Sequence, residues 1–256
     1  MSERPQFDIK QWGGYGRCYD ALNELRPYRE LQTEMLANLR SLPGQIILDA
    51  ACGTGNLAWW AEKGGGFNGA RLVGVDFADG MLEEAERKCV FSWASFKKVD
   101  LRGRLPFSAG SFHAIASANT LYAQPDPAHL LKEFFESLVP GGILVLVNPK
   151  PGHQNGLILK SHCGDNGPVD SWLNAHVSPE KEEQLIRRAM QDEEIIGKML
   201  AVAAWNRRIA AATAFNFFAA SELIMLVENC GFLVQSWKYV YADQGIMIVA
   251  KKGGKG

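Results

Sequence analysis

Ile46-Ile47-Leu48-Asp49-Ala50-Ala51-Cys52-Gly53-Thr54-Gly55-Asn56-Leu57-Ala58 is the stretch that decides the fold. An apolar run ends in an acid, a turn of small residues follows, and an apolar-periodic segment begins. This pattern predicts a buried strand, a tight glycine loop and a helix N-terminus. Glycine lets the backbone turn sharply and lets a ligand come close to it. The start of a helix presents unpaired N–H groups. The chain is therefore built to hold a small molecule at the end of its first strand.

Taken alone, the spacing Gly53-x-Gly55-x-x-Ala58 also fits the dinucleotide fingerprint, whose third position tolerates Ala. A NAD-binding oxidoreductase is therefore one alternative. Asp49 counts against it, because a carboxylate four residues before Gly53 repels a pyrophosphate and attracts an ammonium or a sulfonium. The competing reading of Asp49 is an acid that only ties down its own loop. A second apolar strand, Arg71-Leu72-Val73-Gly74-Val75-Asp76, ends in an acid about 20 residues past the glycines, the distance at which an acid reaches ribose hydroxyls. NAD and S-adenosylmethionine both carry a ribose, so Asp76 does not separate them. Phe77 is placed to lie against an adenine face. Met81, Leu82 and Ala85 share helical spacing and read as core.

Asp49-Ala50-Ala51-Cys52-Gly53-Thr54-Gly55 resembles the first motif of class I S-adenosylmethionine-dependent methyltransferases. Val73-Gly74-Val75-Asp76-Phe77 with Met81-Leu82 resembles their second. Val99-Asp100-Leu101, Leu105-Pro106-Phe107 and Ser111-Phe112-His113 resemble the stretch around their third and fourth strands, and Leu138-Val139-Pro140-Gly141-Gly142 the turn before the fifth. Four motifs in order, from Gln45 to Asn148, are far more specific than any one. The resemblance implies a Rossmann-like, seven-stranded, mostly parallel α/β sheet with helices on both faces, and S-adenosylmethionine as cofactor. It further implies that Ala51, Gly53 and Gly55 approach the methionine part of the cofactor and that Asp49 places its amino group. Asp76 would then take the ribose hydroxyls, Phe77 would border the adenine, Asp100 and the Leu101 backbone would meet the adenine edge, and Asn119 would touch the methionine end. For Asp100 the competing reading is a turn acid.

Composition sets bounds. Hydrophobic residues make up 47% of the chain, enough for a sizeable core, and the formal net charge is -1. No Lys/Arg cluster occurs outside Lys251-Lys252-Gly253-Gly254-Lys255-Gly256, which argues against an extended nucleic-acid surface. The five cysteines are scattered without a Cys-x-x-Cys pair, and no His/Cys/Asp spacing suggests a metal. With no apolar leader and no membrane-length apolar run, a cytoplasmic location is expected. The oligomeric state is left open, a homodimer included.

Four regions follow from the pattern. Residues 1–44 form an N-terminal arm, partly ordered before Arg17, then a helix broken near Pro27. Residues 45–148 form the cofactor-binding core. Residues 149–219 form an insertion after the fifth strand, in which Ser178-Pro179-Glu180 opens one long helical stretch. Residues 220–256 complete the core with a helix, closed by Gly231, and two strands, Phe232 to Val240 and Ile246 to Ala250. The insertion carries Trp172, Trp205, Phe215, Phe217 and Phe218; these either cap a substrate or glue the insertion to the sheet.

The activated methyl of such a cofactor brings its own leaving group, so positioning can supply much of the acceleration and a base is not obligatory. Tyr15 and Tyr19 share a face if helical, and either close over the cofactor, orient an acceptor through a phenol, or pack in the core. His153, His162 and His176 lie in the insertion and are the candidate general bases, each with a bland loop role as its alternative; His113 and His129 read as structural. Tyr19-Asp20-x-Leu22-Asn23 resembles a run in methyltransferases of ubiquinone and menaquinone synthesis, from which the long insertion departs. A small, hydrophobic or aromatic methyl acceptor (a quinol, polyketide or other secondary metabolite) is the expected substrate. A protein that binds S-adenosylmethionine without transferring a methyl group is the remaining alternative.

Overall fold

The apolar run Ile46–Ala50 forms strand β1, buried along most of its length. The computed structural model describes residues 9–39, 42–174, 178–212 and 215–253. The other strands are β2 (Arg71–Asp76), β3 (Ala94–Lys98), β4 (Phe112–Ala118), β5 (Leu138–Pro149), β6 (Phe232–Val240) and β7 (Gly245–Lys252). They form one seven-stranded sheet in the order β3-β2-β1-β4-β5-β7-β6. The first five in that order are parallel, and β7 is antiparallel to both β5 and β6.

Alternation of side chains along the strands feeds two cores. Leu48, Leu144, Leu146 and Ile248 point to one face, where they meet Leu130, Leu131 and Phe134 of a helix spanning Pro127–Ser137 and Leu223 and Val227 of another spanning Ala220–Asn229. Their neighbours Ile47, Val145 and Met247 point to the other face, against Leu31, Met35 and Leu39 of Arg26–Leu39 and Leu57, Ala58 and Ala61 of Asn56–Lys63. Both faces are thus covered, as parallel sheets require. In chain order the helices are α1 (Ile9–Tyr19), α2 (Arg26–Leu39), α3 (Asn56–Lys63), α4 (Asp79–Lys88), α5 (Pro127–Ser137), α6 (Asn155–Cys163), α7 (Pro179–Ala189), α8 (Glu193–Ala212) and α9 (Ala220–Asn229).

A third core joins the N-terminal segment to the insertion. Tyr15, Cys18 and Leu25 pack with Met81 of α4 and with Ile158, Trp172, Ile186, Met199 and Val202 of α6 to α8 and the turn between α6 and α7. Trp172 is completely buried there, its indole N–H donating to Asp165 at 2.8 Å. The aromatic content of the insertion therefore closes a helical layer rather than dressing an open loop.

Three element boundaries differ from the sequence pattern. The arm before Arg17 is helical from Ile9, because α1 finds packing partners in α4 and α8 that no local pattern announces. The stretch after Ser178 is two helices: α7 ends at Ala189, and the Asp192 carboxylate accepts from the backbone N–H of Glu194 and Ile195 at 2.9 and 3.0 Å to start α8 afresh. Strand β5 begins at Leu138, not Ile143; Pro140-Gly141-Gly142 is absorbed as an irregularity in the pairing with β4.

Glycine decides how α1 sits. A Cβ on Gly80 would lie 2.7 Å from the Gly13 carbonyl oxygen, and one on Gly16 2.9 Å from that of Gly80. The two helices cross backbone to backbone. Gly80→Ala is expected to lower stability by about 1–3 kcal/mol in urea denaturation, the usual range for overpacking. Gly197→Ala in α8, where a Cβ meets nothing within 4 Å, is expected instead to stabilise by up to about 1 kcal/mol.

Candidate active site

The sheet order reverses between β1 and β4, and ligands of such sheets sit outside the carboxyl ends at that point. A cleft with about 890 Å³ of space, part of it open to solvent, lies there. Ala51 and Gly53 from the loop after β1, Asp76 and Phe77 at the end of β2, and Asp100 and Leu101 after β3 form one side. Asn119 and Thr120 at the end of β4 form another, and Trp12 and Tyr19 of α1 close over it.

Backbone geometry shapes this wall. Ala51 and Asn119 adopt left-handed conformations, with φ of 61° and 53°. For Ala51 this costs about 1–2 kcal/mol, and such strain concentrates where a ligand is bound. Gly53 and Gly55 are also left-handed, at φ 53° and 74°, which suits residues without a Cβ. The loop is anchored: Cys52 N–H donates to the Val75 carbonyl at 2.9 Å, and Gly53 N–H to Asp76 Oδ2 at 3.0 Å. The second Asp76 oxygen accepts from Ala78 N–H at 3.0 Å.

The charge balance is unusual. Asp49 is 5% exposed and Asp76 6%, and neither forms an ion pair among the described residues. Burial first, and the charge of Asp76 second, push the Asp49 carboxyl up to about 7. Asp49 Oδ2 is buried without a hydrogen-bond partner. Burial also raises Asp76, against three backbone N–H bonds that pull the other way. The nearest cation on the wall is committed elsewhere: Arg102 Nε and Nη2 hold Asp100 at 2.8 and 2.5 Å, which keeps that carboxyl below its ordinary value. The Arg102 guanidinium lies 5.6 Å from the centre of the Phe77 ring. Two unneutralised buried acids beside an aromatic wall suit a cationic ligand with a flat ring and hydroxyls. S-adenosylmethionine meets that description: the orphan Asp49 oxygen suits an ammonium, and the Asp76 carboxylate, bonded by three backbone N–H groups, keeps acceptor capacity for a hydroxyl.

Comparison with known proteins agrees with this geometry. A family model described as "Methyltransferase domain" matches residues 47–142. The demethylmenaquinone methyltransferase of Lactococcus lactis is 32% identical over 136 residues, which cover 50% of this chain and 53% of the relative. That of Thermus thermophilus is 33% identical over 149 residues, covering 56% and 66%. The chain thus spans only about half to two thirds of the length of these relatives. An S-adenosylmethionine-dependent methyltransferase of known structure from Mesorhizobium loti superposes with a TM-score of 0.57 at 16% identity, over 86% of this chain and 96% of that one. The cyclase SpnF does so with 0.58 at 14% identity, over the full length of both.

Over residues 47–142 the chain matches a methyltransferase domain, and its fold is that of S-adenosylmethionine-dependent methyltransferases.

Within this fold, the residues singled out from sequence are distributed unevenly. Tyr19, Ala51, Gly53, Asp76, Phe77, Asp100, Leu101 and Asn119 come together on the cavity wall. Asp49 lies beneath the loop, and Gly55 packs against Ala85, Cys89 and Phe96 rather than on the wall. Tyr15 is buried behind Tyr19, their ring centres 5.1 Å apart, and its hydroxyl donates to Asn206 Oδ1 at 2.8 Å. That is the core-packing alternative rather than a phenol at the acceptor.

The candidate bases separate as well. His162 Nδ1 accepts from Arg26 N–H at 3.1 Å on the outer side of α6, and burial together with Arg29 and Arg26 holds its imidazole below the ordinary value. His176 falls outside the described residues. His153 lies just after β5, its ring 5.2 Å from that of Phe217. His113 Nδ1 accepts from Ile46 N–H at 3.2 Å, a structural role. Met81, Arg102, Thr120 and Gln124 also line the cavity. Met81 carried only a core signal, and Arg102, Thr120 and Gln124 carried none.

The Asp49 carboxyl yields a test of the electrostatics. A carboxyl raised in the folded state destabilises progressively as pH climbs from its unfolded value to its folded one, here from 3.8 to about 7. Asp49→Asn is expected to match the wild type below pH ~4 and to be more stable above pH ~7, by up to roughly 4 kcal/mol. Denaturant midpoints of both proteins across that range check the sign.

Proposed function

We propose that this protein transfers the methyl group of S-adenosylmethionine to a small, hydrophobic or aromatic acceptor seated between the cofactor cavity and the helical layer above it. When bound, the cofactor supplies a methyl group on a positively charged sulfur. The observation that carries the reading is the pair of buried acids, Asp76 on the cavity wall and Asp49 beneath the strained loop after β1, neither in an ion pair among the described residues. The demethylmenaquinone methyltransferases named above lend support to a hydrophobic acceptor.

A tyrosine cluster marks where the acceptor sits. A Cβ on Gly53 would lie 3.9 Å from the Tyr19 ring, so that ring covers the loop assigned to the methionine part. The Tyr19 hydroxyl bonds that of Tyr28, and those of Tyr122 and Tyr241 lie within its electrostatic reach. Burial raises all four phenols, so they stay neutral donors at physiological pH. Tyr122 stacks on Phe215 and Phe217 with ring centres 4.7 and 5.8 Å apart, and Asn216 N–H donates to the Tyr122 carbonyl at 2.7 Å. Gln124 Oε1, on the cavity wall, is buried without a partner and is free to accept from an acceptor hydroxyl. These groups orient and desolvate the acceptor, which is where positioning contributes most. His153, beside Phe217, is the histidine best placed to take a proton.

The second reading, cofactor use without methyl transfer, is kept open by the likeness to the cyclase SpnF. Turnover therefore decides more than binding. The five unpaired cysteines suit the reducing cytoplasm, where we place the enzyme.

Calorimetric titration is expected to show binding of S-adenosylhomocysteine and none of NADH; the reverse overturns the reading. Because the ligand's ammonium needs Asp49 ionised, affinity should rise about tenfold per pH unit below pH ~7 and level off above it, and Asp49→Asn should abolish that slope. Incubation with S-adenosylmethionine and a panel of naphthols and hydroquinones should release S-adenosylhomocysteine stoichiometrically with methylated product. Tyr122→Phe is expected to raise the acceptor KM about tenfold, the worth of one hydrogen bond, and to leave cofactor affinity within about twofold.

A further inference from the structure

Behind the glycine loop, on the side away from the cavity, lies a buried polar cluster that cofactor contact does not explain. Lys88, at the end of α4, has a side chain only 10% exposed. Its ammonium donates to Asp20 Oδ1 and Oδ2 at 2.8 and 2.9 Å and to Asn56 Oδ1 at 2.6 Å. Thr54, fully buried, donates its hydroxyl to Asp20 Oδ1 at 2.5 Å. Asn23 Nδ2 donates to Asn56 Oδ1 at 2.9 Å, and Asn56 Nδ2 to the Tyr28 hydroxyl at 3.1 Å.

Thr54 and Asn56 belong to the glycine loop and the first turn of α3, whereas Asp20 and Asn23 belong to the turn that follows α1. α1 supplies Trp12 and Tyr19 to the cavity wall. The N-terminal segment is therefore fixed to α4 at two points, by the glycine crossing at Gly80 and by the ion pair at Lys88. The second point also grips the loop. The Lys88 end of this ion pair is buried while Asp20 remains 36% exposed, and an ammonium held there by several hydrogen bonds is geometrically demanding, so that it specifies position more than it adds stability.

We propose that Asp20, Asn23 and Lys88 are positioning residues: they form a joint that locks the α1 wall to the glycine loop, so that cofactor retention requires the joint. This gives a physical role to the run Tyr19-Asp20-x-Leu22-Asn23. The inference rests on the cavity being the S-adenosylmethionine site.

The test uses Asp20→Leu, Lys88→Met and the double variant in the full chain. Asp20→Leu leaves the Lys88 ammonium buried without a countercharge, and its thermal midpoint should fall by ~5 °C or more. The double variant replaces the pair with apolar side chains and should regain at least half of that loss. Affinity for S-adenosylhomocysteine is then measured at a temperature where circular dichroism shows every variant folded. All three are expected to bind at least tenfold more weakly than the wild type, with faster hydrogen exchange of the α1 amides, and the double variant should not recover either. Recovery of affinity together with stability, or weak binding with α1 exchange unchanged, overturns the joint while leaving the cofactor reading intact. Failure of the wild type to bind overturns that reading and the joint with it.

Discussion

Two carboxylates buried within one loop of each other, with no lysine or arginine among the described residues in an ion pair with them, set the terms for everything around the cavity. Burial of like charges is tolerated only if one of them takes up a proton or a cation arrives. Asp76 is made tolerable by backbone N–H groups from Gly53 and Ala78, and that demand is what pulls the glycine loop onto the end of β2. Asp49 receives no such relief at Oδ2. The left-handed turn at Ala51 keeps the loop folded over Asp49, at an energetic cost that a bound cation would offset. Fold, strain and affinity are thus one electrostatic problem seen at three scales.

The legible part of the sequence is the part whose information is local. The run from Ile46 to Ala58 predicts strand, loop and helix because each depends on neighbouring residues, and β1, the loop and α3 follow it closely. The acids Asp76 and Asp100 are readable for the same reason: they end apolar runs, and strand ends lie on one edge of a parallel sheet. The helix at Ile9 and the division of the insertion at Asp192 were not readable. Their causes are a tertiary contact and a single cap, neither of which leaves a periodic trace. The same holds for Gln124 and Arg102, which reach the cavity only because the chain turns after β3 and β4. Tyr15 illustrates the opposite hazard. Its spacing from Tyr19 is right for a shared helix face, yet one phenol meets the cavity and the other ends at Asn206.

The insertion after β5 and the N-terminal segment complete one helical layer. The insertion's helices bury Trp172, Ile186 and Met199 against the N-terminal segment, so neither part has a complete core without the other. Remote parts of the chain therefore share one apolar layer above the strand ends. The aromatic stack of Tyr122, Phe215 and Phe217 joins that layer to the end of β4.

The crossing of α1 over α4 has a mechanical consequence. Where side chains interdigitate, helices can slide by small rotamer adjustments. At Gly13 and Gly80 two backbones touch with nothing between them to adjust. Such a contact leaves no side chain whose rotamer could loosen it. The spacing of the wall that carries Trp12 and Tyr19 is thus set by the backbone of α4 itself, and any substituent added to either glycine is passed directly to that wall.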